Sequence, residues 1–263
     1  MHFKWNYDTP TSERKQAAKE LADKIGMSPI LADLLIRRGI KTESAAKRFF
    51  RPMLSELIDP FLMNDMDIAV DRLNDAMGRK ERIMVYGDYD VDGCTAVALV
   101  YKVLQQFYSN IEYYIPDRYD EGYGVSRKSI DEAKEKGVKL IIVLDCGIKA
   151  IDEIAYAKTL GIDLIICDHH VPDEEMPPAV AILNPKRKDS TYPFHHLSGC
   201  GVGFKFMQAF AKNNGIPFSR LMPVLDFCAV SIASDIVPVI GENRTLAFHG
   251  LKQLNQNPSV GLK

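Results

Sequence analysis

Between Arg82 and Leu183 the sequence alternates short, β-rich apolar runs with amphipathic segments, and this alternation narrows the possible folds more than any other feature. Arg82 to Gly87, Ile111 to Ile115, Leu140 to Leu144, Leu164 to Cys167 and Val180 to Leu183 read as strands. Thr95 to Tyr108, Ser126 to Lys136 and Ala150 to Leu160 carry helical periodicity. Strands that are apolar on both sides, separated by helices, predict an α/β fold: a mostly parallel sheet with helices on both faces. Residues 1–80 carry no strand signal, and Ala17, Leu21, Ile25, Leu31, Leu34 and Leu35 recur at helical steps, which predicts a small helical lead-in before an α/β domain at 81–263. From His196 onward helices return. Gly199-Cys200-Gly201-Val202-Gly203 opens one, and a long apolar helix is expected from about Ser219 to Ile232.

Parallel sheets place their sites at the carboxyl ends of strands, and acids cluster there. Asp88, Asp90 and Asp92 follow the first strand, Asp145 follows the third, and Asp168-His169-His170 follows the fourth. A single strand-end Asp is often a helix cap, and Asp145 before Gly147 could be one. Three clusters on one rim exceed what capping needs. Within Gly87-Asp88-Tyr89-Asp90-Val91-Asp92-Gly93, carboxylates at alternate positions repel one another, and a divalent cation is the usual relief at neutral pH. The same run matches the opening of a calcium-binding EF-hand loop, but the twelfth position is Leu99 where a bidentate Glu is required, and the preceding segment is strand-like. With Asp235 added, the set is hard oxygen donors mixed with imidazole, which suits Mn²⁺ or Mg²⁺, and two ions could share it. His169 and His170 would point to opposite faces on a strand, but at a turn both can approach the rim. The glycine-rich turn around Gly201 suits an anion through free backbone N–H groups, with tight helix packing as the other reading.

Net charge is −2 over 263 residues, so any nucleic-acid partner must be held by a local groove or through metal-bound phosphate. Cys94, Cys146, Cys167, Cys200 and Cys228 form no C-x-x-C pair, which points to reduced, packing thiols. The stretch Met1 to Asn6 lacks the apolar core of a signal peptide and no later run reaches membrane-spanning length, so a soluble cytoplasmic protein without a membrane partner is expected.

Six motifs in order resemble the DHH phosphoesterases, and within them the bacterial single-strand-specific exonuclease branch. They are GDYDVDG at 87–93; Pro116-Asp117-Arg118 with Glu121-Gly122-Tyr123-Gly124; Leu144-Asp145-Cys146-Gly147; Cys167-Asp168-His169-His170; Leu197 to Lys205; and Ala233 to Pro238 with Gly241-Glu242-Asn243-Arg244. The resemblance implies that Asp90, Asp92, Asp145, His169 and Asp235 are metal ligands, with Asp92, Asp145, His169 and His170 at the catalytic centre. It leaves Asp88, Asp168 and His170 as ligands or partners of ligands, with His170 alternatively facing the substrate phosphate. Arg118 and Arg244 are candidate phosphate-binding cations, since a guanidinium fork suits a phosphate terminus; the competing reading pairs Arg118 with Asp117 or Asp120.

The implied activity is metal-dependent 5′-to-3′ hydrolysis of single-stranded DNA to 5′-mononucleotides in repair and recombination, in company with other repair and recombination proteins. Tyr119, Tyr123 and Tyr192 are candidates for stacking on bases, with core or loop aromatics as the other reading of each. The resemblance also implies DHHA1 and OB-fold domains beyond residue 263, so the chain is expected to be a fragment carrying the metal half of the site. Two other activities fit the same rim: a phosphoesterase for short oligoribonucleotides, cyclic dinucleotides or pyrophosphate, and a DNA-binding scaffold without catalysis.

Overall fold

The computed structural model describes residue 4 and residues 8–263, so most of the stretch Met1 to Asn6 lies outside the described residues. The chain forms two compact units, Met1–Glu56 and Leu57–Lys263. The first holds α1 (Ser12–Ile25), α2 (Pro29–Arg37) and α3 (Glu43–Phe50), each begun by a hydroxyl N-cap, from Thr11, Ser28 and Thr42. Its core is Ala18, Leu21, Ala22, Ala32, Leu35 and Ala46. The expected stripe is therefore shifted: Ala17 faces water beside buried Ala18, and Leu31 and Leu34 are exposed.

The second unit begins with α4 (Met66–Gly78), which lies before the expected boundary at 80 and buries Met66, Ala69, Val70, Leu73 and Ala76. There follow β1 (Arg82–Gly87), α5 (Val91–Leu104), β2 (Ile111–Tyr114), α6 (Arg127–Glu135), β3 (Val138–Leu144), α7 (Ile151–Thr159), β4 (Asp163–Cys167) and β5 (Ala181–Leu183). The last helices are α8 (Gly199–Asn213), α9 (Leu225–Ser234) and α10 (Gly241–Gln256). The five strands pair in the order β2-β1-β3-β4-β5, all parallel.

Strand alternation divides the core between two faces. Met84, Tyr86, Ile141, Val143, Leu164 and Ile166 pack with α6 and α7 residues such as Ile130 and Ile154. On the opposite face α4, α5 and α8 pack on the sheet and on one another. There Gly203 brings α8 so close that an added Cβ would lie 3.0 Å from Leu144 and 3.3 Å from Val100. The chain leaves β1 for β2 on one side and then for β3 on the other, so a crevice opens between the carboxyl ends of β1 and β3, where open parallel sheets bind ligands.

One expected element is shorter and begins later than expected. The helix from Ser219 to Ile232 is instead two 3₁₀ turns, Phe218–Arg220 and Met222–Val224, followed by α9. Pro223 has no N–H to donate and its ring excludes a helix running through it. All five cysteines are free; four are buried and Cys94 is exposed.

Candidate metal centre

The crevice is built by three loops that leave β1, β3 and β4. After β1, Asp90 is the N-cap of α5, its Oδ1 accepting from Gly93 N–H at 2.9 Å, so the helix starts four residues before the expected Thr95. Asp92 therefore lies in the first turn of α5, buried, and points across the sheet end toward α8. Its Oδ2 accepts from Gly199 N–H at 2.7 Å, and its Oδ1 from Cys200 N–H at 2.8 Å and from Ser231 Oγ at 2.7 Å. Ser198, the N-cap of α8, completes the cluster, with its Oγ 2.6 Å from Ser231 Oγ and accepting from Gly201 N–H at 3.1 Å.

This arrangement corrects the reading of Gly201 as an anion-binding residue. The α8 N-terminus does meet an anion, but the anion is Asp92, and Gly201 N–H is taken by Ser198.

After β3 the backbone of Asp145 turns left-handed, with φ 61°, and its N–H donates to Cys167 O at 2.9 Å. This conformation aims a buried carboxyl into the crevice. Burial first, and the nearby Asp92, Asp90 and Asp168 charges next, push its pKa up to about 10. Its Oδ1 has no hydrogen-bond partner and lies 3.2 Å from His169 Nε2. That nitrogen is also 3.8 Å from Asp92 Oδ2 and 3.7 Å from Asp235 Oδ2. Asp235 is the C-cap of α9, and burial raises its pKa.

Ligand atoms of Asp145, His169 and His170, and separately of Asp92, His169 and Asp235, lie within 4.8 Å of one another. The backbone leaves room for them: a Cβ at Gly199 would sit 2.3 Å from Asp145 Oδ1. Three carboxylates converging on one imidazole nitrogen, one of them with an orphaned oxygen, fit a hard divalent cation.

Asp168 differs from its neighbours. Its Oδ1 accepts from the backbone N–H of His169 at 2.7 Å and of His170 at 3.0 Å and contacts His170 Nδ1 at 2.8 Å, while its Oδ2 accepts from Ile148 N–H at 3.1 Å. Burial acts to raise its pKa, but the His170 interaction and these backbone donors outweigh it and hold the carboxyl below its ordinary value. Asp168 orients His170 and, unlike Asp92, whose two oxygens are also hydrogen-bonded, enters neither convergent group. The same contact raises the His170 pKa. Asp88 keeps a buried, unpartnered Oδ1, and burial raises its pKa, but neither it nor Asp90 enters the two convergent groups.

The loop after β2 carries Arg118. Glu121 shapes this loop, its Oε1 accepting from Tyr114 OH at 2.9 Å and Asp117 N–H at 3.0 Å, and its Oε2 from Ser126 Oγ at 2.5 Å. Arg118 lies over the Tyr89 ring at 5.3 Å, and its positive charge acts on Asp88. The competing pairing is not formed: Asp117 accepts from the backbone of Tyr119 and Asp120, and Asp120 pairs with Lys128. Arg244 sits half-buried in the first turn of α10, where burial lowers its pKa. Tyr192 is not available for stacking, because it is fully buried with its OH on Glu242. Tyr123 is exposed, its ring 6.3 Å from that of His170. Beside it a cavity of about 610 Å³ is lined by Tyr123, Ile148, Lys149, Glu153, Asp168 and His170, among others.

Residues 82–232, more than half of the sequence, match the DHH family, N-terminal domain. The chain belongs to the DHH family. This DHH chain is 38% identical over 261 residues to the single-stranded-DNA-specific exonuclease RecJ of Bacillus subtilis (strain 168), a match covering 99% of this chain and 32% of that protein. The chain thus spans about a third of the length of that curated relative. In three dimensions it resembles exonuclease RecJ bound to manganese, with TM-score 0.71 and 30% identity over 80% of this chain and 52% of the other. It also resembles RecJ of Thermus thermophilus in complex with Mn²⁺, with TM-score 0.78 and 26% identity over 94% and 34% of the two chains. The DHH triplet itself, Asp168-His169-His170, thus divides its work: the aspartate is spent on hydrogen bonds and the two imidazoles face the crevice groups.

Ser231, which donates to Asp92, and Ser198, which contacts Ser231, escaped the sequence reading. Ser198 is visible as an N-cap before a helix, but nothing in the sequence says that Asp92, 107 residues from Gly199, is the anion at that helix end.

Proposed function

We propose that the chain is the metal-binding part of a divalent-metal-dependent, single-stranded-DNA-specific exonuclease that degrades from the 5′ end and releases 5′-mononucleotides. The observation that carries this reading is the donor set at the crevice. Asp145 and His170 on one side and Asp92 and Asp235 on the other converge on His169, with Asp145 Oδ1 lacking a hydrogen-bond partner, in a fold similar to RecJ bound to manganese. Asp92, Asp145, His169 and Asp235, with His170 at the edge, are the residues that would hold Mn²⁺ or Mg²⁺, two ions being accommodated by the two convergent groups.

When bound, such ions lower the pKa of a water and neutralise charge on the phosphoryl oxygens. The remaining work falls to the chain itself. Asp168 fixes the His170 ring through Nδ1, which leaves the other ring nitrogen to act toward ion or phosphate. Asp90, the N-cap of α5, and Asp88, which keeps an unpartnered oxygen, lie in the same GDYDVDG run as Asp92 and are the further candidates to hold the ions. Arg118, held over Tyr89, and Arg244 supply guanidinium donors for the terminal phosphate. The cavity beside Tyr123 is large enough for a nucleoside. Hydrolysis cleaves the phosphodiester with the 3′-oxygen as leaving group. A cytoplasmic role in DNA repair and recombination, alongside other proteins of those processes, accords with this activity, and no helix among the described residues is long and apolar enough to cross a membrane.

The test is hydrolysis of labelled single-stranded DNA by the full-length gene product, beside duplex DNA and a dinucleotide. Mononucleotide release from the single strand that needs Mn²⁺ or Mg²⁺ and is abolished by chelation supports the proposal. Cleavage of the dinucleotide alone assigns a small-substrate phosphoesterase, and no cleavage of any substrate assigns a binding scaffold.

A further inference from the structure

Residues 236–240, Ile-Val-Pro-Val-Ile, leave the metal centre directly after Asp235, and four of the five are exposed while Val237 is partly so. Five consecutive apolar residues in an exposed loop are an aggregation liability unless they meet something. Ile236 is the extreme case, 85% exposed with φ 56°. A β-branched residue in the left-handed region is a steric outlier, and the position just past a helix end is where glycine is ordinarily found. Folding alone would favour Gly at 236, so the isoleucine side chain costs stability where it stands.

The residues that follow other crevice groups in sequence form a pattern. Val91 follows Asp90, Tyr119 follows Arg118, Val171 follows His170 and Ile236 follows Asp235, and all four are exposed. With Tyr123, apolar side chains thus alternate along the chain with the charged groups of the crevice. A phosphate held among those groups has its flanking nucleosides at this rim, because adjacent Cα atoms are only about 3.8 Å apart. Bases are the apolar part of a nucleic acid, and only an unpaired strand presents their faces.

We propose that Ile236 is a specificity-determining residue that packs against the face of an unstacked base beside the phosphate at the metal centre. This rests on the nuclease reading above. The contact favours a single strand because duplex bases are already stacked and paired, and the side chain acts as the apolar wedges of other nucleic-acid-binding proteins do.

The experiment uses the full-length chain with Ile236→Gly, Ile236→Asn and Ile236→Val. Binding of a 5′-phosphorylated, phosphorothioate-linked oligothymidylate is measured by anisotropy in Mn²⁺, beside a strand whose first three nucleotides are abasic. Ile236→Gly should raise Tm, since the left-handed backbone is relieved, yet weaken binding of the normal strand about five- to tenfold. Ile236→Asn, which also tolerates the backbone, should weaken it similarly, while Ile236→Val should restore most of the affinity. Wild type and Ile236→Gly should bind the abasic strand equally. A lower Tm for Ile236→Gly removes the strain argument and overturns the proposal. Unchanged affinity for the normal strand overturns it too. An equal loss on normal and abasic strands overturns it in favour of a polypeptide segment as the occupant. If the wild type neither binds nor hydrolyses single-stranded DNA, the nuclease reading fails first, a result distinct from all of these.

Discussion

Asp145 and Asp168 end adjacent strands, β3 and β4, and both are buried, yet they are opposite in character. Asp168 has every oxygen engaged by protein donors and a pKa held down; Asp145 has a left-handed backbone, an orphaned oxygen and a pKa pushed up to about 10. A carboxylate at a strand end is therefore not a ligand by position alone. Protein donors satisfy Asp168, while Asp145 keeps an oxygen free and its ligand atom enters a convergent group with the two imidazoles.

The strongest way to break this comparison is to substitute both residues conservatively. Asp145→Asn should abolish hydrolysis and weaken Mn²⁺ binding by at least about a hundredfold, exceeding losses typical of outer-shell partners. It should not lower the Tm of the metal-free protein, because the amide replaces a carboxyl that burial already keeps protonated and asparagine tolerates φ 61°. Asp168→Asn should do the reverse. Its main effect is a loss of stability of about 3 kcal/mol in urea titrations, as buried N–H groups meet an amide, with a smaller decline in metal affinity through the His170 ring. Equal stability changes in the two variants would refute the distinction.

The pH dependence sharpens it further. A carboxyl whose pKa is raised on folding binds its proton more tightly in the native state. Stability from Asp145 is therefore present below its ordinary value of 3.8 and is lost as pH rises toward about 10. The lowered Asp168 acts oppositely, its contribution being lost as pH falls below the ordinary carboxylate range. Chelator-treated protein should melt at a lower temperature near about pH 9 than near about pH 6, and Mn²⁺ should close that gap by replacing the proton on Asp145. A metal-free Tm that rises over the same interval would contradict the assignment.

The smallest expected effect belongs to Ser231→Ala. Asp92 keeps the two backbone donors of α8 and loses the hydroxyl at 2.7 Å. Calorimetric titration should give Mn²⁺ binding about tenfold weaker, with a stability loss of about 1 kcal/mol. No change in either would mean that the α8 backbone alone fixes Asp92.

The sheet was legible in the sequence because its strands are apolar on both faces and end in acids: Arg82 to Gly87 agrees residue for residue, and the other four strands agree within two residues at either end. The rim acids were legible for the same reason. Their roles were less so, because hydrogen bonds to Asp168 and Asp92 come from backbone N–H groups that every residue carries. Pro223 marks the break in the sequence itself, inside a run of mostly apolar residues that otherwise suits a helix. In the N-terminal unit, alanines line much of the core, and Ala17 and Ala18 cannot be told apart by hydrophobicity. Ile236 was also unremarkable as a letter; its unusual feature is a backbone angle.

Asp92 reaches Gly199 and Ser231 across 107 and 139 residues. Such a centre has no modular core: no single loop or hairpin cut from the chain contains it, and a graft of the acidic GDYDVDG run into another protein would carry its charges without the helix end that receives one of them. Whatever evolutionary adjustment the centre undergoes must preserve the docking of α5 against α8 and α9, so tolerance to insertion is expected in the outer loops, not between the elements that meet at Asp92.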